Sequence, residues 1–225
     1  MAYIIKKRIL SMSIQKYNNK GMVTRVLMTI LGVLTAGIAV GFFSFSKMGL
    51  DPFQCFAHGT WNLFPLSYGT WYVIINAVLL IVIFLVNKRM IGLGTLINLF
   101  LVGYAANASE LILYKMASNI AISTRIISLI IGIVIMCFAS AIYFTADLGV
   151  STYDAIAITL SEKNKRIPFR IHRIITDIIC VLIGWRLGAT VGIGTIITAF
   201  FMGPLIDFFR FNIAQPLLKK CAGKA

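Results

Sequence analysis

Charge is what this chain has least of. Only 12% of its 225 residues are charged and seven of them are acidic, against about a quarter charged in average soluble domains. A water-facing surface cannot be built from so few charges, so an ordinary soluble domain is excluded. Histidine is scarcer still. His58 and His172 stand alone, with no second histidine or carboxylate at ligand spacing, which argues against a metal centre. The four cysteines (Cys55, Cys137, Cys180 and Cys221) also lack metal spacing and lie mostly in or beside apolar runs. They read as small buried thiols with no disulfide inferred. There is no Gly-x-Ser-x-Gly elbow and no His-Glu-x-x-His helix, so nothing points to an enzyme, and no cofactor is expected. The first twenty residues hold no apolar core between charges and a small-residue cleavage site, so they do not read as a cleavable signal peptide.

What the chain has is apolar length. Hydrophobic residues make up 59% of it, and residues 26–46, 70–86, 90–113, 126–146, 174–187 and 191–209 carry almost no charge. A bilayer core about 30 Å thick takes about 20 apolar helical residues to cross. The second and fifth runs are shorter and rely on flanking polar residues that snorkel. No ten-residue alternation of a β-barrel is present. The sequence therefore predicts an all-α integral membrane protein with six transmembrane helices.

The net charge of +14 is arranged for a membrane rather than for nucleic acid. With the amino terminus in the cytoplasm, 17 of the 21 basic residues fall on that side and only Lys47, Lys115, Arg125 and Arg186 on the other. This is the positive-inside bias of six spans with both termini cytoplasmic. Residues 1–21 then form a basic cytoplasmic leader and 214–225 a cytoplasmic tail. The basic segment 163–173 touches anionic lipid headgroups.

Shifted by 100 residues, the chain matches itself without a gap. Thr24-Arg25 falls on Thr124-Arg125, Gly32 on Gly132, Gly49 on Gly149, and Gly92-Leu93-Gly94-Thr95 on Gly192-Ile193-Gly194-Thr195, with Gly103 on Gly203. Apolar runs match by chance at Ile, Leu and Val, but rarely at Gly, Thr and Arg in one register. Residues 22–114 and 122–213 thus read as two copies of a three-helix unit. Three is odd, so the copies enter the membrane from opposite faces as inverted repeats, an arrangement that recurs in transporters.

Three sets of residues are candidates for function. The glycines Gly92, Gly94, Gly103, Gly192, Gly194 and Gly203 either let helices approach closely or loosen a helix start. In the second case the amides and the Thr95 and Thr195 hydroxyls are offered to a ligand. The connectors after the first and fourth spans (47–66 and 147–167) are long for a bundle. Gly49 with Asp51-Pro52, and Gly149 with Ser151-Thr152, supply turn and helix-start chemistry. A short helix either dips into the membrane or lies at its surface there, and Asp51 and Asp154 gate in the first case. Polar residues within spans complete the set. Asp177 is an expensive carboxylate with Arg173 one turn away. Asn98 pairs by register with Thr198, and Asn107 with Asp207.

Met-Gly-Leu-Asp-Pro-Phe (48–53), Val-Gly-Ile-Gly-Thr-Ile-Ile (191–197) and Gly-Pro-Leu-Ile-Asp (203–207) resemble the YczE/YyaS/YitT family of bacterial membrane proteins, over residues 22 to 213. The first half departs from the pattern, with Tyr-Ala-Ala-Asn after Gly103. The resemblance implies a bacterial cytoplasmic membrane protein, discussed as a transporter, with no established substrate or catalytic residues. Two functions follow as expectations: a secondary transporter of a small solute, or an accessory membrane protein that positions another complex. A second copy or another membrane protein is the partner in either case.

Overall fold

The computed structural model describes residues 19–116, 121–164, 166–167 and 169–222, so the expected basic leader lies almost entirely outside the described residues. Every regular element among them is a helix or a helical turn. In order these are α1 (Asn19–Ser46), α2 (Pro52–Trp61), α3 (Tyr68–Asn87), α4 (Leu93–Met116), α5 (Ile122–Ala146), α6 (Thr152–Lys163), α7 (Phe169–Arg186), α8 (Ile193–Phe209) and α9 (Gln215–Ala222). A 3₁₀ turn over Lys88–Met90 precedes α4, and a widened π turn over Arg210–Ala214 joins α8 to α9. The stretch after residue 213, read from sequence as a tail, therefore continues the last long helix.

Among the described residues, five helical stretches are long and apolar enough to cross a membrane: Gly21–Ser46, Tyr68–Asn87, Leu93–Met116, Ile122–Ala146 and Ile193–Cys221. α7 stands apart from them. It has 18 residues, and Arg170, Arg173, Asp177 and Arg186 are among them.

α1 and α5 form the central pair. A Cβ on Gly32 would lie 3.1 Å from the Ala139 carbonyl oxygen, and one on Gly132 would lie 3.1 Å from the Phe43 ring. Glycine at these points lets two backbones touch, which is what drives association where lipid competes equally for apolar surface. α1 also holds α4 tightly. Gly37 abuts Ala105, Ala106 and Val102, and Gly41 abuts Ser109, whose hydroxyl donates to the Ile38 carbonyl at 3.1 Å. Gly103 on α4 meets Tyr72 of α3 in turn, with its Cβ position 2.7 Å away. The corresponding flank of the second half is looser. Gly203 has nothing within 4 Å.

The two short helices cross over. α2 packs on α7: a Cβ on Gly59 would sit 2.7 Å from Gly184, and the Asn62 amide donates to the Leu187 carbonyl at 3.0 Å. α6 packs on α3, where the Asn87 amide donates to Thr159 Oγ1 at 3.3 Å and Glu162 Oε2 at 2.8 Å. Each short helix thus follows the second half of a long helix from the other copy. Their first turns meet, with the Phe53 ring stacked on Tyr153 at 4.9 Å. Val33, Val40, Tyr68, Tyr72, Val102 and Tyr143 close around that contact as the main buried cluster.

Candidate functional site

The connectors reach the site through a backbone shape used twice. Lys47 and Asp147 are left-handed, at φ 54° and 57°, and Gly49 and Gly149 both lie at φ 122°. Only glycine enters that last region freely. A side chain there would also collide. A Cβ on Gly49 would fall 2.7 Å from the Thr195 amide nitrogen, and one on Gly149 would fall 2.7 Å from Thr95 Oγ1. Each connector thereby seals the start of the other copy's third helix. The Gly94 amide donates to the Leu148 carbonyl at 2.7 Å, and the Gly194 amide to the Met48 carbonyl at 2.9 Å. Thr95 Oγ1 accepts from the Gly92 amide at 3.2 Å and donates to the Val150 carbonyl at 2.7 Å, while Thr195 accepts from the Gly192 amide at 3.4 Å. Helix N-termini carry orphan amides that must find acceptors. Here the chain itself supplies those acceptors. Thr95 and Thr195 are buried in these clasps instead of lining an open space.

From the clasps each chain turns into a short helix. Asp51 caps α2 by accepting from the Gln54 amide at 3.2 Å, with Pro52 at the first helical position. Ser151 caps α6 by accepting from the Asp154 amide at 3.1 Å. The two capped ends face each other across the Phe53–Tyr153 stack, and the polar groups collect beside it. The Arg173 guanidinium pairs with Asp154, lies 3.3 Å from the Asp177 carboxylate through Nε, and sits 4.6 Å from the Tyr153 ring centroid. The Tyr153 hydroxyl donates to Asp177, and the Ser151 hydroxyl donates to Asp154 at 2.7 Å. On the α3 side Asn76, which is 1% exposed, accepts from Thr152 Oγ1 at 2.5 Å and donates to the Tyr72 carbonyl at 2.8 Å. Tyr68 donates to Gln54.

The charges here do not cancel. One guanidinium faces Asp154 and Asp177, and Asp51 caps the opposing helix end. The two helix N-termini contribute partial positive charge in compensation. Buried ion pairs gain little net stability, but removing one partner leaves the other unpaired and costs about 3–5 kcal/mol.

Of the residues singled out in the sequence, Asp51, Asp154 and Asp177 gather at this crossing, and Gly49, Gly149, Gly92, Gly94, Gly192 and Gly194 form the clasps around it. Thr198 is buried on α8, with its hydroxyl on the Thr195 carbonyl at 3.0 Å. Asn98, Asn107 and Asp207 are partly exposed on α4 and α8.

Between the crossing and one end of the molecule lies a cleft of about 350 Å³, with Lys47, Leu50, His58, Asn62, Glu110 and Tyr114 among its lining residues. Two of the positions 100 residues away take part in an apolar cluster instead. Val150 and Ile158, which match Leu50 and His58, pack with Ile83, Met90, Ala155 and Ile156 into an apolar cluster. The sequence offered Lys47 and His58 only as an outer-side charge and an isolated histidine, and it did not bring Glu110 to them. The available signal was the register itself, which sets Lys47 against Asp147 and Glu110 against Arg210.

The family model described as a family of unknown function, DUF6198, matches residues 23–211. The chain belongs to this family. Relatives of the same length class include the uncharacterized membrane protein YczE of Bacillus subtilis, 24% identical over 172 residues and covering 76% of each chain. The uncharacterized protein YyaS of the same organism is 25% identical over 194 residues, covering 84% of this chain and 94% of the relative. An uncharacterized protein of Haemophilus influenzae is 27% identical over 190 residues, covering 84% of each. YczE and YyaS are two of the names carried by the resemblance read from the sequence. No solved structure gives a significant match. The family match, the membrane relative and the five apolar helices together make this a multi-pass membrane protein.

Proposed function

We propose that the chain is a secondary transporter of a small solute in the bacterial cytoplasmic membrane. In this reading six helices cross the bilayer as two inverted three-helix repeats, with both termini cytoplasmic. α7 is the fifth span, and its mid-helix charges Arg173 and Asp177 are tolerated because they face the crossing. α2 and α6 are re-entrant half-helices whose N-termini meet near the bilayer centre, where non-helical backbone survives only against protein or a cavity.

One observation carries the reading. α2 and α6, one from each half, start against each other at the Phe53–Tyr153 stack, with Arg173, Asp154 and Asp177 beside them. Half-helix starts that meet beside charged groups are where transporters hold substrate and coupling ion. With Lys47 and Glu110 on the side poor in basic residues, the open cleft is the outward vestibule. Arg173, Asp154 and Asp177 join α6 to α7 behind it. Asp177 takes up the coupling proton or cation, and exchange of its partners accompanies the swing of α6 against α7.

The test is uptake by proteoliposomes under imposed proton and sodium gradients, with Asp177→Asn as the control. Gradient-driven uptake that Asp177→Asn abolishes is the expected result. A protein that moves no solute under any gradient, in cells where Asp177→Asn also leaves the host phenotype intact, is not a transporter.

A specific observation favours the accessory function as the second reading. The rod Ile193–Cys221 is almost wholly unburied, with Phe200, Phe201, Phe208 and Phe211 exposed and Gly203 uncovered. Stable co-purification of a membrane partner that Gly203→Leu disrupts, without loss of folding, would support it.

A further inference from the structure

We infer that the open cleft binds a small zwitterion, a solute carrying one carboxylate and one ammonium on a short carbon frame, as an α-amino acid does. Because it names a substrate class for the vestibule described above, it rests on the transport reading for its role, though not for the binding itself.

The charges of the cleft make the case. Lys47 extends from the turn that ends α1, and its ammonium lies 5.7 Å from the centroid of the Tyr114 ring. Glu110 stands one helical turn before Tyr114 on α4 and lines the same cavity. Neither residue forms an ion pair among the described residues. Opposite charges held apart in one cleft forgo their mutual attraction. A guest with the complementary two charges satisfies both at once, its carboxylate on Lys47 and its ammonium on Glu110. An anion alone would meet Lys47 but face Glu110, and a cation alone the reverse.

The remaining walls set the size. The volume of about 350 Å³ is at the lower end of the range for small-molecule sites, about 300–1,000 Å³. Leu50 and Ala189 are buried apolar residues at 3% and 8% exposure, which receive a short apolar side chain and no third charge. His58 is held by Ser44 at 3.4 Å and stacked on Tyr68 at 4.2 Å, a rigid polar edge beside the charges.

Calorimetric titration of the purified full-length protein with L-alanine, alaninamide and N-acetylalanine tests this on the unaltered chain. L-Alanine is expected to bind, and the two analogues, each lacking one charge, at least about tenfold more weakly, as the loss of a charge-assisted hydrogen bond predicts. Lys47→Asp and Glu110→Arg are each expected to weaken L-alanine binding to the same degree, and the double variant K47D/E110R to recover it. Equal binding of either analogue, or no binding of L-alanine up to millimolar concentration, overturns the proposal. If L-alanine binds but is not transported, the site stands and the transport reading falls. If another solute is transported while L-alanine neither binds nor competes, the reverse holds.

Discussion

The two copies share a backbone plan but differ in how they are filled. In the first, α4 is clamped on both flanks by glycines, Gly37 and Gly41 on α1 and its own Gly103 against Tyr72. In the second, Gly203 faces open space, and α7 keeps its closest partners in α2 and α6. The polar residues divide in the same way. The first copy places the neutral Asn76, Gln54 and Tyr68 at the crossing with one carboxylate, Asp51, while the second places the ion-paired Asp154, Arg173 and Asp177 there. One copy is thus the firmer frame and the other carries the ionisable cluster. The two halves use the same order of elements and differ in these side chains.

The largest effect that tests this division is at the charged cluster. Arg173→Ala strands Asp154 and Asp177 and is expected to cost about 3–5 kcal/mol, read by denaturant titration in mild detergent. Asn76→Ala in the other copy should cost only about 1–3 kcal/mol. Equal losses would erase the distinction between frame and charged copy. Next come the clasps. Gly49→Ala and Gly149→Ala each place a side chain at φ 122° and against a helix start. Both should destabilise by at least about 1–3 kcal/mol, and a large loss at only one of them would show that the copies do not share this joint.

A smaller contrast lies on the flanks. Gly103→Ala pushes on Tyr72 and is expected to cost about 1–3 kcal/mol, whereas Gly203→Ala should stay within about 0.5 kcal/mol. A destabilised Gly203→Ala would mean that something covers α8. The smallest effect is expected at Asn62→Ala, which loses one exposed hydrogen bond worth about 1 kcal/mol, visible as a small shift of the denaturation midpoint.

Local chemistry was legible in the sequence. Asp51-Pro52 and Ser151 start helices because each side chain accepts from an amide three residues on, and Arg173 reaches Asp177 because they lie one turn apart. The long apolar helices follow from length and hydropathy. What joins residues far apart in the chain was not legible. Nothing local places Phe53 on Tyr153, brings Arg173 to Asp154, or sends α2 onto α7 of the other copy. The Gly-x-Gly-Thr segments show why. Alone they look like amides on offer, but Leu148, Val150 and Met48 of the opposite connectors already occupy them.

The exchanged clasps also bear on how the chain is made. When the first 116 residues have left the ribosome, α4 exists but the carbonyls that terminate its first turn, at Leu148 and Val150, have not yet been synthesised. The Gly184 backbone against which α2 rests comes later still. The early half must therefore be held by the insertion machinery, or by lipid and water, until the late half arrives. Truncation anywhere between the copies would leave an unfinished and short-lived intermediate in the membrane, and no smaller independent unit.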